Sequence, residues 1–134
     1  MELAEEGLLG ERERLMRDLE SILAGKTDPV ACAARWKAAG PDMALTWLYY
    51  LMADLMKLSA GFNRPEALSN PDWVERLNVL NNHIEFSKLN IYSEVVSLAT
   101  QQIQGPLDSQ LMLEDVLIGW SRLKPGSSTL RKTA

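Results

Sequence analysis

The side chains best suited to chemistry in this chain are its single histidine, His83, and its single cysteine, Cys32. His83 has no cysteine, aspartate or glutamate at the spacing of a zinc site, so the sequence does not indicate a bound metal. We expect it to help end a helix, where a cation is favoured. Cys32 has no partner histidine at a recognisable spacing. We expect a small, buried, apolar residue there rather than a nucleophile.

Two adjacent carboxylates, Glu114 and Asp115, lie in an otherwise apolar segment. On a helix, neighbouring residues point about 100° apart, so the two cannot easily act as an acid/base pair. We expect surface or interhelical pairing, with Arg122 or Lys88 as partners. The sequence also lacks the glycine-rich loop that binds phosphates. It therefore predicts no catalytic site, no cofactor and no metal, and the chain is not expected to be an enzyme.

An aromatic cluster, Trp47, Tyr49 and Tyr50, is the remaining distinctive group. Three aromatic residues within four positions of a helix cannot all face one core stripe. Either this helix is covered on most sides, or part of the cluster lies at a protein interface, where tyrosine and tryptophan are enriched. The sequence leaves both interpretations open.

Composition places the chain among ordinary globular proteins. Its 134 residues suit one domain and a core that needs no disulfide. The net charge of −4 argues against a standalone nucleic-acid binder. A single cysteine fits a reducing cytosol, and the N-terminus does not resemble a signal peptide. The longest apolar window, residues 43–58, contains Asp54 and Lys57, so a membrane span is not predicted.

The elements that carry these residues are predicted to be helices throughout. Apolar spacing is helical almost everywhere, which indicates an all-α, compact bundle of five to six helices. Asp28-Pro29 and Asn70-Pro71 each combine a helix cap with a first-turn proline, and Gly25 and Gly40 follow helix ends. The predicted helices span residues 11–24, 29–39, 41–60, 71–81, 85–104 and 109–123, with a loop at 61–70 that includes a short turn at 65–68.

Two segments together resemble a known family. The first has the central pattern alanine-leucine-x-tryptophan-leucine, with an aspartate and a leucine further on: Ala44, Leu45, Trp47, Leu48, Asp54 and Leu55. The second begins at a polar cap and reads Asp108, Leu111, Leu113, Glu114, Asp115, Val116 and Leu117. In order and spacing they resemble the C-terminal domain of the delta-prime subunit of bacterial DNA polymerase III, a clamp-loader subunit. The resemblance covers about residues 11–126.

This resemblance implies a role in assembly. In clamp loaders, the C-terminal domains of the subunits pack side by side into a collar. The collar holds the AAA+ modules in a ring while they place the sliding clamp on primed DNA. The implied function is a non-catalytic assembly domain whose partners are the other clamp-loader subunits, through their C-terminal domains. It implies a cytoplasmic location, no small-molecule ligand, no membrane, and at most indirect DNA contact.

The chain also departs from the family pattern. Full-length subunits carry an N-terminal AAA+ module and a zinc-binding cysteine cluster, and neither is present here. We therefore expect an excised C-terminal fragment. In it, residues 1–10 are a linker or the end of a preceding lid region, residues 11–126 the collar-like domain, and residues 127–134 a disordered tail.

The resemblance leads us to expect subunit contacts on exposed parts of the long helices. The candidates are aromatic or arginine residues: Tyr49 and Tyr50 on the third helix, Tyr92 on the fifth, and Trp120 with Arg122 on the sixth. The alternative function is a free-standing helical adaptor or regulator that binds a partner helix in a groove. A carboxylate metal enzyme would need Glu-x-x-His motifs, and His83 has no glutamate three positions before it.

Overall fold

A computed structural model describes residues 2–61, 64, 68, 70–105 and 108–124. Within these residues the chain forms six α-helices and no strand, so the predicted all-α bundle is confirmed. A short 3-10 turn, Pro71–Trp73, leads directly into the fourth helix. The helices are α1 (Glu2–Leu23), α2 (Pro29–Ala39), α3 (Pro41–Ser59), α4 (Val74–Asn82), α5 (Phe86–Gln102) and α6 (Ser109–Ser121).

Side-chain caps begin two of the helices, as predicted. The carboxylate of Asp28 accepts a hydrogen bond from the backbone N–H of Val30 at 3.3 Å, before α2. The carboxylate of Asp108 accepts from Gln110 at 2.8 Å and from Leu111 at 3.4 Å, before α6. Each cap satisfies backbone donors that have no partner within the helix.

Two glycines set the ends of α1 and α2. Gly25 has a φ of 76°. Its N–H donates to Ile22 at 3.0 Å, and Lys26 donates to Ser21 at 2.9 Å. This pair of bonds is the Schellman arrangement that ends many helices. Gly40, with a φ of 124°, separates α2 from α3 without a longer loop.

The first helix is longer than predicted. It begins at Glu2 rather than at residue 11, because glutamate, leucine and alanine are strong helix formers. They outweigh Gly7 and Gly10, which cost about 1 kcal/mol each in a helix. α4 begins three residues later than predicted, because Pro71–Trp73 form a 3-10 turn, and the other helix ends differ by at most two residues. The predicted turn at 65–68, apart from Leu68, and the predicted tail at 127–134 lie outside the described residues.

Asn70 occupies the N-cap position of the 3-10 turn that leads into α4, with a first-turn proline after it as predicted, but its side chain makes no cap hydrogen bond. Instead, its backbone N–H and its Nδ2 both donate to the Asp54 carboxylate, at 2.8 and 2.9 Å. The side-chain oxygen of Asn70 accepts from Arg12 at 3.2 Å. Asp54 on α3 is fully buried, and Asn70 meets its need for donors. The connection between α3 and α4 is therefore fixed to α1 and α3.

An arginine joins α4 to α1. The guanidinium of Arg76 donates to Glu20 at 2.7 and 3.0 Å and to Glu13 at 2.9 Å. These bonds, chiefly those to Glu20, raise the pKa of Arg76, and the bond from Arg76 holds the pKa of Glu13 below its ordinary value. Arg76 and Arg12 also lie over the ring of Trp73, at 5.1 and 4.0 Å from its centroid.

The core lies between α6, which packs against α1, α2 and α5, and α3, which packs against α2, α4 and α5. Val30 on α2 and Val95 on α5 are exposed, although both are apolar. Helices α2 and α5 each bury one stripe, and these two residues lie outside it. The largest fully buried side chains are Trp36, Trp120, Met16, Leu19, Leu45, Leu48, Leu51, Met52, Leu55, Leu77, Leu89 and Leu113.

The Asp54–Asn70 contact leads to a prediction. Replacing Asp54 with alanine should lower the free energy of unfolding by about 2–4 kcal/mol, because two buried donors of Asn70 lose their acceptor. Urea denaturation followed by circular dichroism would measure this loss. The control is Asp115→Ala, at an exposed aspartate on α6, which should change stability by less than about 0.5 kcal/mol. Equal effects of the two changes would contradict the assigned role of Asp54.

Candidate subunit interface

The aromatic cluster on α3 is divided between core and surface. Trp47 turns inward, and its ring meets Trp73 edge to face at 5.9 Å. Tyr49 and Tyr50 point outward, with 43% and 50% of their surfaces exposed. Their rings also meet edge to face, at a centroid distance of 5.7 Å. The two tyrosines therefore form a paired aromatic surface on α3, as a contact with another protein would require.

A groove runs between this surface and α5. It has a volume of about 240 Å³. Glu94 is the one charged residue among those that line it. One wall consists of α3 residues Tyr49, Met52, Ala53 and Met56, and the other of α5 residues Ser93, Glu94 and Ser97.

Two predicted interface residues, Tyr92 and Trp120, are buried instead, so we correct their assignment. The Tyr92 hydroxyl donates to the carbonyl of Val116 at 2.6 Å, and burial raises the pKa of the phenol. The Trp120 indole N–H donates to the carbonyl of Leu19 at 2.9 Å. Both side chains continue the apolar stripes of their helices. The need to bury those stripes outweighs the general preference of aromatic residues for interfaces.

Arg122 follows α6, and its side chain is exposed. Its backbone carbonyl accepts a hydrogen bond from Lys88 at 3.4 Å. The predicted pairing of Glu114 or Asp115 with Lys88 or Arg122 is not observed: Glu114 accepts from the side chain of Gln110 at 3.0 Å, and Asp115 is exposed. Arg122 therefore keeps its position as a surface candidate, together with Tyr49 and Tyr50.

Sequence reasoning missed a further exposed apolar group on α5. Ile91, Val95 and Leu98 expose 67%, 46% and 53% of their surfaces. Their spacing of i, i+4 and i+7 places them on one side of the helix. The signal was present in the sequence, but it overlaps a second apolar stripe, which is the buried one: Leu89, Tyr92, Val96 and Ala99.

The two side chains that could be reactive, those of His83 and Cys32, have structural roles. His83 is the C-terminal cap residue of α4, and its N–H donates to Leu80 at 2.9 Å, so its predicted place at a helix end is confirmed. Cys32 is buried, as predicted. Burial, followed by the nearby charge of Asp18, raises the pKa of its thiol to about 12.

Neither a metal centre nor a membrane span is found in the described part of the chain. No group of three or more histidine, cysteine, aspartate or glutamate side chains could hold a metal ion there. None of the described helices is both long enough and apolar enough to cross a bilayer.

Comparison with protein families identifies the family of this chain. A family model described as DNA polymerase III, delta subunit, C terminal matches residues 6–122. The chain belongs to this family. The match confirms the resemblance at the level of the DNA polymerase III clamp-loader family. Comparison with curated proteins and with solved structures found no match.

The match to the delta C-terminal family covers the residues described above. The matched segment reaches from within α1 to the end of α6, so it contains both the core and the surface around the groove. In this delta-family domain the buried aromatic residues hold the helices together. The aromatic residues Tyr49 and Tyr50 of α3 are exposed.

The division between buried and exposed aromatic residues can be tested by stability. Trp120→Ala should lower the free energy of unfolding by about 3–5 kcal/mol, because it empties a large core position. Tyr50→Ala should cost less than about 1 kcal/mol, since an exposed side chain leaves no cavity. Chemical denaturation of the two variants beside the parent protein measures the difference. A loss for Tyr50→Ala as large as that for Trp120→Ala would place Tyr50 in the core.

The burial of Cys32 leads to a reactivity prediction. With a pKa raised from 9.0 to about 12, the folded protein holds roughly a thousandfold less thiolate at neutral pH than an ordinary cysteine. A thiol reagent should therefore label Cys32 only after unfolding. The control is a Cys32→Ala, Ser59→Cys variant, whose exposed thiol should react in the folded state. Fast labelling of folded parent protein would contradict the prediction.

The same shift has a consequence for stability at high pH. Because the folded pKa is raised, the contribution of the neutral thiol is fully present below pH 9.0 and is lost as the pH rises toward about 12. In that window the unfolded chain ionises at Cys32 while the folded chain does not.

Proposed function

We propose that this chain is a non-catalytic assembly domain of a DNA polymerase III clamp-loader subunit, of the delta-prime type. It packs with the collar domains of the other subunits and so holds the ATP-driven ring that loads the sliding clamp onto primed DNA. The observation that carries this proposal is the family match over residues 6–122. The location that goes with this role is the cytoplasm.

The family match is to the delta subunit and does not distinguish delta from delta-prime, so the assignment to delta-prime rests on the resemblance of the two sequence patterns. The leucines of the first pattern, such as Leu45 and Leu48, are fully buried in α3, and Asp54 is fixed by Asn70. In the second pattern, Leu113 and Leu117 are buried in α6, and Asp108 caps that helix. The residues that carry the resemblance thus have structural roles in the core and at a helix cap.

The charge distribution supports a protein partner rather than DNA. Binding to DNA requires lysine and arginine side chains that can neutralise phosphates. Four arginines instead pair with carboxylates of the chain itself: Arg12 with Asp72, Arg17 with Glu13, Arg35 with Asp18, and Arg76 with both Glu13 and Glu20. In the proposal, any contact with DNA is made through the rest of the assembly.

The interface part of the proposal concerns Tyr49, Tyr50 and Arg122. Aromatic and arginine side chains carry a large share of interface energy. The three are exposed and their loss would leave no cavity in the core. ATP binding, zinc binding and catalysis are assigned to other parts of the subunit and need no residue of this bundle.

Co-assembly tests the proposed function. The protein, co-expressed with the other DNA polymerase III clamp-loader subunits, should elute with them as one complex in size-exclusion chromatography. A Tyr49→Ala, Tyr50→Ala variant should bind at least about tenfold more weakly, because a hot-spot side chain contributes about 2 kcal/mol or more. Its melting temperature should stay close to that of the parent.

The matched control is Phe86→Ala, which removes an exposed aromatic residue at the start of α5. It should leave assembly unchanged. If the parent protein forms no complex with clamp-loader subunits but binds an isolated amphipathic helix, the adaptor function replaces the present proposal.

A further inference from the structure

The outer side of α5 is unusual for a helix on a protein surface. Such a helix normally has an apolar stripe toward the core and charged residues on the opposite side. In α5 the outward positions are occupied by Ile91, Val95 and Leu98. α5 therefore carries two apolar stripes, one buried in the bundle and one exposed on its outer side.

Charge is nearly absent along this helix. The charged residues of α5 are Lys88, near its start, and Glu94, although charged residues make up 24% of the chain. The buried centres of protein interfaces are depleted in charged residues. Both composition and exposure therefore mark the outer side of α5 as the centre of a contact.

The spacing of the apolar residues indicates the shape of the partner. Anchors at i, i+4 and i+7 lie in a line along a helix, which suits a second helix packed lengthwise against it. The groove beside α5 separates this line from Tyr49 on α3. A stable interface buries about 800 Å² on each partner, more than three aliphatic side chains supply, so the partner must also reach the tyrosines.

We propose that Ile91, Val95 and Leu98, here called the outer α5 face, receive a helix from the collar domain of another clamp-loader subunit. That helix carries a lysine or arginine opposite Glu94. This inference rests on the proposed function and adds to it the contacting helix, the kind of element it contacts and the charge of its partner.

The position of Glu94 favours a different subunit over a second copy of this chain. Glu94 lies at the middle of the outer α5 face, between Ile91 and Leu98. A two-fold pairing of α5 with itself, centred on this face, would bring the two Glu94 carboxylates together. The basic residue of α5, Lys88, is already bonded to Glu85 and to the backbone carbonyls of Arg122 and Lys124. A partner helix with a basic residue removes this repulsion.

Lysine substitutions test the outer α5 face. The double variant Ile91→Lys, Leu98→Lys should weaken binding to the other clamp-loader subunits by at least about tenfold, because it places charge in an apolar contact. Folding should be unaffected, since both positions are exposed and each lysine lies three or four residues from Glu94, a favourable helical pairing. Melting temperature and circular dichroism check this.

The matched control is Val79→Lys, at an exposed valine on α4. It should bind as the parent does. If the parent and the α5 double variant assemble equally well, the outer α5 face is not a contact site, while the proposed function still holds. If the parent itself does not assemble, both fail. Concentration-dependent dimerisation of the protein alone, abolished by the double variant, would identify a second copy as the partner and overturn the inference.

Glu94 is tested by ionic strength. A Glu94→Lys variant should bind clearly more weakly than the parent at low salt, and the two affinities should converge as salt is added, because screening weakens both the attraction and the new repulsion. Equal binding of parent and variant at low salt would show that no basic residue faces Glu94 and would overturn that part of the inference.

Discussion

The fold depends on the burial of one indole, that of Trp120. A buried tryptophan needs an acceptor for its N–H, and Trp120 finds it in the backbone carbonyl of Leu19, on the helix at the other end of the chain. The neighbouring Gly119 lies against Tyr92 of α5, where a Cβ atom would be 2.9 Å from the ring. Helices α1, α5 and α6 are therefore held together around the side chain of Trp120. The contact of α6 with α1 and its contact with α5 depend on each other.

This arrangement decides which surfaces remain for partners. With α1, α2 and α5 packed around it, α6 has its aromatic residue in the core. Its end is also fixed, because the N–H of Glu85 donates to the carbonyl of Leu123 at 2.9 Å. The groove described above lies between α3 and α5, and large exposed side chains of these two helices lie beside it. Burial of the inward stripe of α6 and exposure of the outer α5 face follow from the same packing.

The sequence predicted helix caps and helix ends well, but it did not predict which apolar side of a helix is buried. Asp108 and Gly25 act through neighbouring backbone groups, so their roles could be read from adjacent residues. Asn70 could not be assigned in that way, since its acceptor lies on another helix, sixteen positions away along the chain. Trp120 and Ile91 both lie on apolar helical stripes. Only the packing of the other helices determines that the first is buried and the second exposed.

Charge separates the two sides of the molecule in a way that agrees with an assembly role. On the side of α1 and α4, Arg76 is held by Glu13 and Glu20, and such internally paired charges suit a surface in contact with water. On the side of α5, Glu94 stands among exposed apolar residues. Leaving apolar side chains in water costs free energy, and a surface of this kind on a stable domain marks a site of protein contact. In the proposed assembly, another clamp-loader subunit covers this surface.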